Sequence, residues 1–186
     1  MGLDQFLFFR KKVTDPNKVN ASIIKDIKAL AEFKKEILDG IEDDDARRFR
    51  VEVALNDFIN VVEKKIETGT IDEDENLIDW SRAYEIRGWF EDNTGYPHGE
   101  NMYDHPVTRA HLEQLYDDLS AVLAIKSDFL DKKPGTIEFI QERFSAFDGD
   151  KTFFIQAEVT VDSLNSILDN DDYFEGKGEF IYHEWW

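Results

Sequence analysis

Forty-one acidic residues against 22 basic ones leave this 186-residue chain with a formal charge of −19, and that self-repulsion has to be overcome before any compact fold exists. The means are in the same sequence: 41% of residues are hydrophobic and 13% aromatic, with 15 Phe, six Tyr and four Trp. Solvated acidic tails carry far fewer aromatic residues, so a folded chain with an aromatic core and outward carboxylates is expected. A chain of this length fits one domain, residues 1–186, which buries roughly 70% of its unfolded surface.

The charge is unevenly placed. Residues 1–37 hold eight Lys/Arg and five Asp/Glu, a net +3, whereas residues 38–186 hold 14 and 36, a net −22. A body that acidic repels nucleic acid and anionic lipid and attracts a basic surface, so the expected partner is a basic protein, with neither nucleic acid nor membrane. The chain has no cysteine, which excludes disulfides, thiolate metal sites and thiol nucleophiles. The apolar run Leu3–Phe9 is too short for a signal core, and Arg10, Lys11 and Lys12 follow it instead of preceding it; no run reaches membrane-spanning length. A soluble protein of the cell interior is expected.

Local patterns predict an α+β fold, mostly helical, with a small sheet pairing the two chain ends. Phe6–Phe9 reads as a short strand ended by the basic triplet. Ser22 can cap a helix carrying Ile23, Ile27 and Leu30, with Gly40 just past its end. Residues 48–55 alternate like a strand, yet Val51, Leu55, Phe58, Val62 and Ile66 step at helical spacing, which favours a helix from Asp45 to Gly69. An acidic first turn from Asp74 suits a helix through Leu77, Trp80, Tyr84 and Trp89, stopping near Gly95. Thr108 caps a helix with Leu112, Leu115, Leu119 and Val122; Lys133-Pro134-Gly135 makes a turn before a short helix with Ile137, Ile140 and Phe144. Thr152–Val161 reads as a strand, Asp162 as the cap of a short helix, and Phe180-Ile181-Tyr182 as the last strand.

Three segments together resemble a known family: Met1-Gly2-Leu3-Asp4 with the aromatic strand after it, Trp80-Ser81-Arg82-Ala83-Tyr84-Glu85-Ile86-Arg87-Gly88-Trp89-Phe90, and Tyr182-His183-Glu184-Trp185-Trp186. They are similar to small phage and prophage proteins that open with Met-Gly-Leu-Asp, carry a central Trp-Arg-Lys…Trp-Phe helix followed by a Leu-rich helix, and end on an aromatic strand closing in Trp. Here Ser81-Arg82 stands where that family has Arg-Lys, Glu184-Trp185 where it has small polar residues, and residues 13–70 are additional. The family has no established activity, so the resemblance implies phage origin and action in the host cytoplasm, and no chemistry.

The residues that stand out chemically are the acidic clusters Asp43-Asp44-Asp45, Asp72-Glu73-Asp74-Glu75, Asp117-Asp118, and Asp171-Asp172 with neighbouring Asp169 and Glu175. Duplex DNA carries one negative charge per roughly 1.7 Å of axis, so carboxylates at comparable density on a rigid surface can occupy a DNA-binding groove. These clusters are therefore candidate partner-binding residues for a DNA mimic that inhibits a basic host protein, such as a defence or nucleic-acid-processing factor; the plainer reading is solvated helix ends and loops. Calcium loops are excluded, because Phe174 and Leu77 occupy the positions that need glycine. The loop histidines suggest the alternative, a small metal-dependent enzyme using His98, Asp104, His105 and His111 with Glu100, although no helical His pair or zinc spacing is present. No cofactor is expected, since phosphate-loop, dinucleotide and nucleophile-elbow fingerprints are missing. Trp80, Tyr84, Trp89 and Phe90 at helical spacing read as core. Trp185-Trp186 must either lock into the sheet or face a partner.

Overall fold

The computed structural model describes the backbone of residues 4–40, 45–96 and 104–185, and the side chains of 4–35, 49–96 and 104–185. Among these residues no helix is long and apolar enough to cross a membrane. The chain divides into two compact units, one made of residues 1–11 and 74–186, the other of residues 12–73.

The first unit is built on a sheet in the order β2-β1-β4-β3, formed by β1 (Asp4–Val13), β2 (Ile71–Ser81), β3 (Asp104–Val107) and β4 (Gly178–Trp185). The fold is α+β, and the two terminal strands pair antiparallel, with Leu7 opposite Tyr182 and Phe9 opposite Phe180. Burial alternates along β1, so Gln5, Leu7 and Phe9 face inward. Onto this face pack α3 (Tyr84–Thr94), α4 (Arg109–Ala124) and α7 (Thr152–Leu168), joined by α5 (Lys126–Leu130) and α6 (Thr136–Gln141). The centre is aromatic: Phe90 stacks on Tyr182 at 3.9 Å, Trp80 lies against both, and Trp89 meets Phe90 edge-on at 5.3 Å. Two glycines are demanded by packing. A Cβ on Gly178 would stand 2.3 Å from the Arg10 carbonyl and 2.6 Å from the Phe9 ring, and one on Gly88 would meet Ala146 at 2.9 Å.

The second unit is a hairpin of α1 (Pro16–Gly40) and α2 (Asp45–Thr68). Its seam follows a heptad: Val19, Asp26, Leu30 and Phe33 on α1 face Val51, Leu55, Phe58, Val62 and Lys65 on α2. Phe33 lies 6.2 Å from Phe58, and Lys65 pairs with Asp26 and donates to Ser22 Oγ at 3.0 Å, which fixes an antiparallel register. Among the described side chains of the two helices, only Val19 and Val62 reach full burial.

Several sequence expectations hold. The helix from Asp45, the stop of α3 at left-handed Gly95, the Thr108 cap and the turn at left-handed Gly135 are all present. Others need correction. Strand β1 runs through the basic triplet to Val13, because Arg10 is held by carboxylates on both sides. Helix α1 starts at Pro16, not after Ser22: the Asp15 carboxylate accepts the Asn17 N–H at 2.9 Å, and proline suits a first helical position. The segment from Asp74 is strand β2, so Trp80 is a strand residue. Thr152–Val161 is the first part of α7, with Asp162 inside the helix and not capping one; its β-branched residues yield to the helical burial of Phe153, Ala157, Thr160, Leu164 and Ile167. Strand β3 was not expected at all.

Candidate partner-binding surface

The acidic body of the protein is the first unit, which holds 26 acidic and 11 basic residues against 15 and 11 in the hairpin unit. Its bases are largely committed: Arg10, Arg87, Arg109, Lys126, Lys133, Arg143 and Lys177 each lie within ion-pair distance of a carboxylate. The surplus at its surface is therefore negative.

Within the first unit, Glu75 is brought beside an acidic turn distant in sequence. The Tyr173 hydroxyl donates to Glu75 at 2.8 Å, and its ring meets Phe9 edge-on at 5.0 Å. Those contacts hold the 3-10 turn Asp171–Tyr173 beside β2, so Glu75 lies with Asp171, Asp172 and Glu175 on the side of the sheet that Phe9 faces, while Asp74, the preceding strand residue, turns to the other side with Arg10. Glu179, opposite Arg10 in the β1–β4 register, lies on that other side. A cation is tied into each group. Arg10 forks onto Asp74 at 2.9 and 3.1 Å and reaches Asp104 at 2.9 Å, and the Asp74 bond, opposed by partial burial, raises its guanidinium above the ordinary range. Lys177 pairs with Asp172 at 3.1 Å and Glu175 at 2.8 Å. Asp171 and Glu179 stay exposed. Because β2 is an edge strand, its carboxylates also discourage pairing with another strand, a structural reason for part of this charge.

The remaining candidates separate. In the hairpin unit Asp72 is exposed and Glu73 pairs with Lys18 at 3.0 Å. Asp43 and Asp44 lie outside the described residues, as does the side chain of Asp45. On α4, Asp117 faces solvent, but Asp118 accepts from the buried Trp89 indole at 2.9 Å and lies 3.8 Å from Arg143, so it anchors the core and is not a free surface carboxylate. The Trp185 ring is 56% exposed although its backbone pairs with Asp4; Trp186 lies outside the described residues.

The histidine loop does not assemble as a metal site among the described residues. His98 and Glu100 lie outside them. Asp104 is taken by Arg10 and, at 2.7 Å, by His183; His105 Nε2 donates to the Thr94 carbonyl at 3.0 Å. His111 Nδ1 accepts the Thr108 N–H at 3.3 Å and completes a capping box, while burial and then nearby His105 lower its basicity. No group of three metal-ligating side chains occurs among the described residues.

Sequence reasoning missed a fully buried carboxylate of the first unit. Glu184 is 0% exposed and takes a bidentate pair from Arg87 at 2.7 and 3.1 Å, while Arg87 also reaches Glu91 at 3.1 Å. Burial opposes the Arg87 charge, but the Glu184 bond and field outweigh it and hold the guanidinium above its ordinary value. Beside it Tyr182 donates to Gln5 at 2.8 Å and Gln5 donates to the Ala83 carbonyl at 3.0 Å. Burial, then the Glu184 charge, push the Tyr182 and Tyr96 hydroxyls upward. This network cross-links β1, β4 and α3; the only signal of it in the sequence is that Glu184 shares the inward parity of Phe180 and Tyr182.

Compared with known proteins, the chain matches no family model, no curated protein and no solved structure.

Proposed function

We propose that this protein is a binding protein without catalytic chemistry, which captures a basic partner on the acidic surface of its first unit and blocks that partner's own use of the basic site. The observation that carries this reading is the Tyr173–Glu75 bond, which pins the acidic turn at Asp171–Tyr173 against strand β2 beside a carboxylate 98 residues away. A continuous patch focuses charge and speeds capture of an oppositely charged surface in a salt-dependent way, whereas the same carboxylates scattered over loops do not. DNA mimicry is the form of inhibition that fits: carboxylates held by a packed sheet present negative charge to residues that otherwise bind phosphate. The resemblance to phage proteins supports a host cell as the setting and a defence or nucleic-acid-processing protein as the partner.

The test is competition. Partners captured from host lysate by immobilised protein should be displaced by added duplex DNA, and the protein itself should bind no DNA at about 0.15 M salt. Micromolar DNA binding by the purified protein, or captured partners that DNA does not displace, would sink the mimicry reading.

A further inference from the structure

We propose that the outer face of the first unit's sheet, opposite the one that α3, α4 and α7 cover, is a docking surface for a basic segment of another protein that carries arginine beside apolar side chains. This face lies on the side of the sheet away from the Asp171–Tyr173 turn, so the proposal goes beyond the capture surface built on that turn and stands whether or not that surface binds.

The strand registers lay the face out row by row. Paired residues send their side chains to the same side of a sheet, and Gln5, Leu7 and Phe9 point to the helices, so Asp4, Phe6, Phe8 and Arg10 point away from them. Opposite these on β4 stand Trp185, His183, Ile181 and Glu179, and β3 adds Asp104 beside His183 and Pro106 beside Ile181. Contacts agree with the rows: His183 Nδ1 lies 2.7 Å from Asp104, and the His183 ring lies 6.4 Å from Phe8. On β2, Ile78 and Trp80 are buried, so the exposed Asp79 between them turns outward. The Asp74–Arg10 and Ser81–Asp4 bonds show that β2 runs antiparallel to β1, which brings Asp79 level with Phe6.

The result is an aromatic strip with a carboxylate rim. Phe6 and Phe8 are half-buried and Trp185 is 56% exposed, while Ile181 is buried between Phe8 and Pro106. On the same rows stand Asp4, Asp74, Asp79, Asp104 and Glu179, with Arg10 as the one arginine among them. Exposed rings of this kind mark an interaction face.

Charge decides the occupant. Arg10 is held by Asp74 and Asp104, whereas Asp79 and Glu179 are exposed and meet no cation among the described residues. Free carboxylates beside an apolar strip repel an acidic or nucleic-acid surface and call for cations. Arginine is favoured over lysine by a contact this face already makes: the Arg10 guanidinium lies 5.1 Å over the Phe8 ring while it forks onto Asp74. Asp79 beside Phe6, and Asp4 beside Trp185, repeat that pairing of ring and carboxylate without an arginine, and the guanidinium of a partner fits it.

The test is a titration of the full chain by fluorescence anisotropy at about 0.15 M salt, with a labelled peptide of Arg-Leu-Ser repeats and a second peptide in which Ser replaces Leu. The wild type should bind the first peptide with a micromolar Kd and the second at least about tenfold more weakly, since charge alone does not fill the aromatic strip. Trp185→Ser and Asp79→Lys should each weaken the first peptide about tenfold, with unchanged circular dichroism because both side chains are exposed. Asp171→Lys with Glu175→Lys, on the other side of the sheet, should change it by less than about threefold. Four results would each overturn the proposal: no wild-type binding below about 1 mM, equal affinity for the two peptides, indifference to either Trp185→Ser or Asp79→Lys, or a loss as large in the turn reversal as in those variants.

Discussion

The two units of this protein solve the problem of folding an acidic chain in opposite ways. The first packs Trp80, Trp89, Phe90, Phe153, Phe154 and Tyr182 between a sheet and three helices, and on that core it tolerates 26 carboxylates against 11 bases. The hairpin has nearly balanced charge but only one layer of contact, and among its described side chains Ile24, Ile27, Phe49, Val53 and Ile66 are all at least 44% exposed. A strong core permits an extreme surface; a thin seam leaves apolar side chains exposed. Substitutions should therefore cost much more stability in the core of the first unit than at the exposed positions of the second.

The largest effect expected is at the aromatic centre. Trp89→Ala should cost roughly 3–5 kcal/mol, because it opens a cavity at a fully buried site and strips Asp118 of its indole donor. Arg87→Ala should approach the same cost, about 3–5 kcal/mol, by leaving Glu184 buried without its guanidinium. Denaturant melts of both variants check this, and a loss below about 1 kcal/mol in either would break the contrast, since surface substitutions stay near 0.5 kcal/mol. Gly178→Ala should fall between, about 1–3 kcal/mol, through its clash with the Arg10 carbonyl.

A smaller effect is tied to pH. Burial, and then the charges of Asp148 and Asp150, raise the Glu85 carboxyl above its ordinary value of 4.5. Its folded state prefers the neutral form, so the stability it contributes is complete below about pH 4.5 and is lost as pH rises through the higher folded value. Glu85→Gln should therefore raise the melting temperature near neutral pH, with a gain that shrinks on acidification towards pH 4.5. Melts across that range check the sign. Smallest of all, Ile66→Ala should change the unfolding free energy by no more than about 0.5 kcal/mol, because its side chain is 62% exposed; denaturant melts check this.

What was legible in the sequence was local chemistry. Thr108 before an apolar 3.6-residue pattern, Gly95 and Gly135 at left-handed positions, and the aromatic runs at both ends all mean the same thing wherever the chain folds. Strand β2 was illegible because Asp72–Glu75 suits a helix N-terminus as well as an edge strand, and Leu77, Trp80 and Tyr84 happen to step at helical spacing; its membership is decided by pairing with β1, far away in sequence. Helix α7 was misread because Ile155, Val159 and Val161 favour strands, while the side that packs is the one through Phe153, Ala157 and Leu164. The acidic residues were visible singly, but their union rests on Tyr173 reaching Glu75, and the loss of Asp118 from the set rests on Trp89. Neither is a pattern along the chain.

A binding role for the acidic patch of the first unit, separate in function from the hairpin, is open to direct measurement. The direct measurement is a capture experiment from host lysate, at low and moderate salt, with three proteins: wild type, a patch reversal Asp171→Lys and Glu175→Lys, and the hairpin variant Ile27→Asp and Ile66→Asp. The account predicts that the wild type and the hairpin variant recover the same basic partner with the same salt sensitivity, and that the patch reversal, still folded, recovers little of it. Equal recovery by the patch reversal would contradict the account and leave the carboxylates as a solubility feature and a guard on the sheet edge.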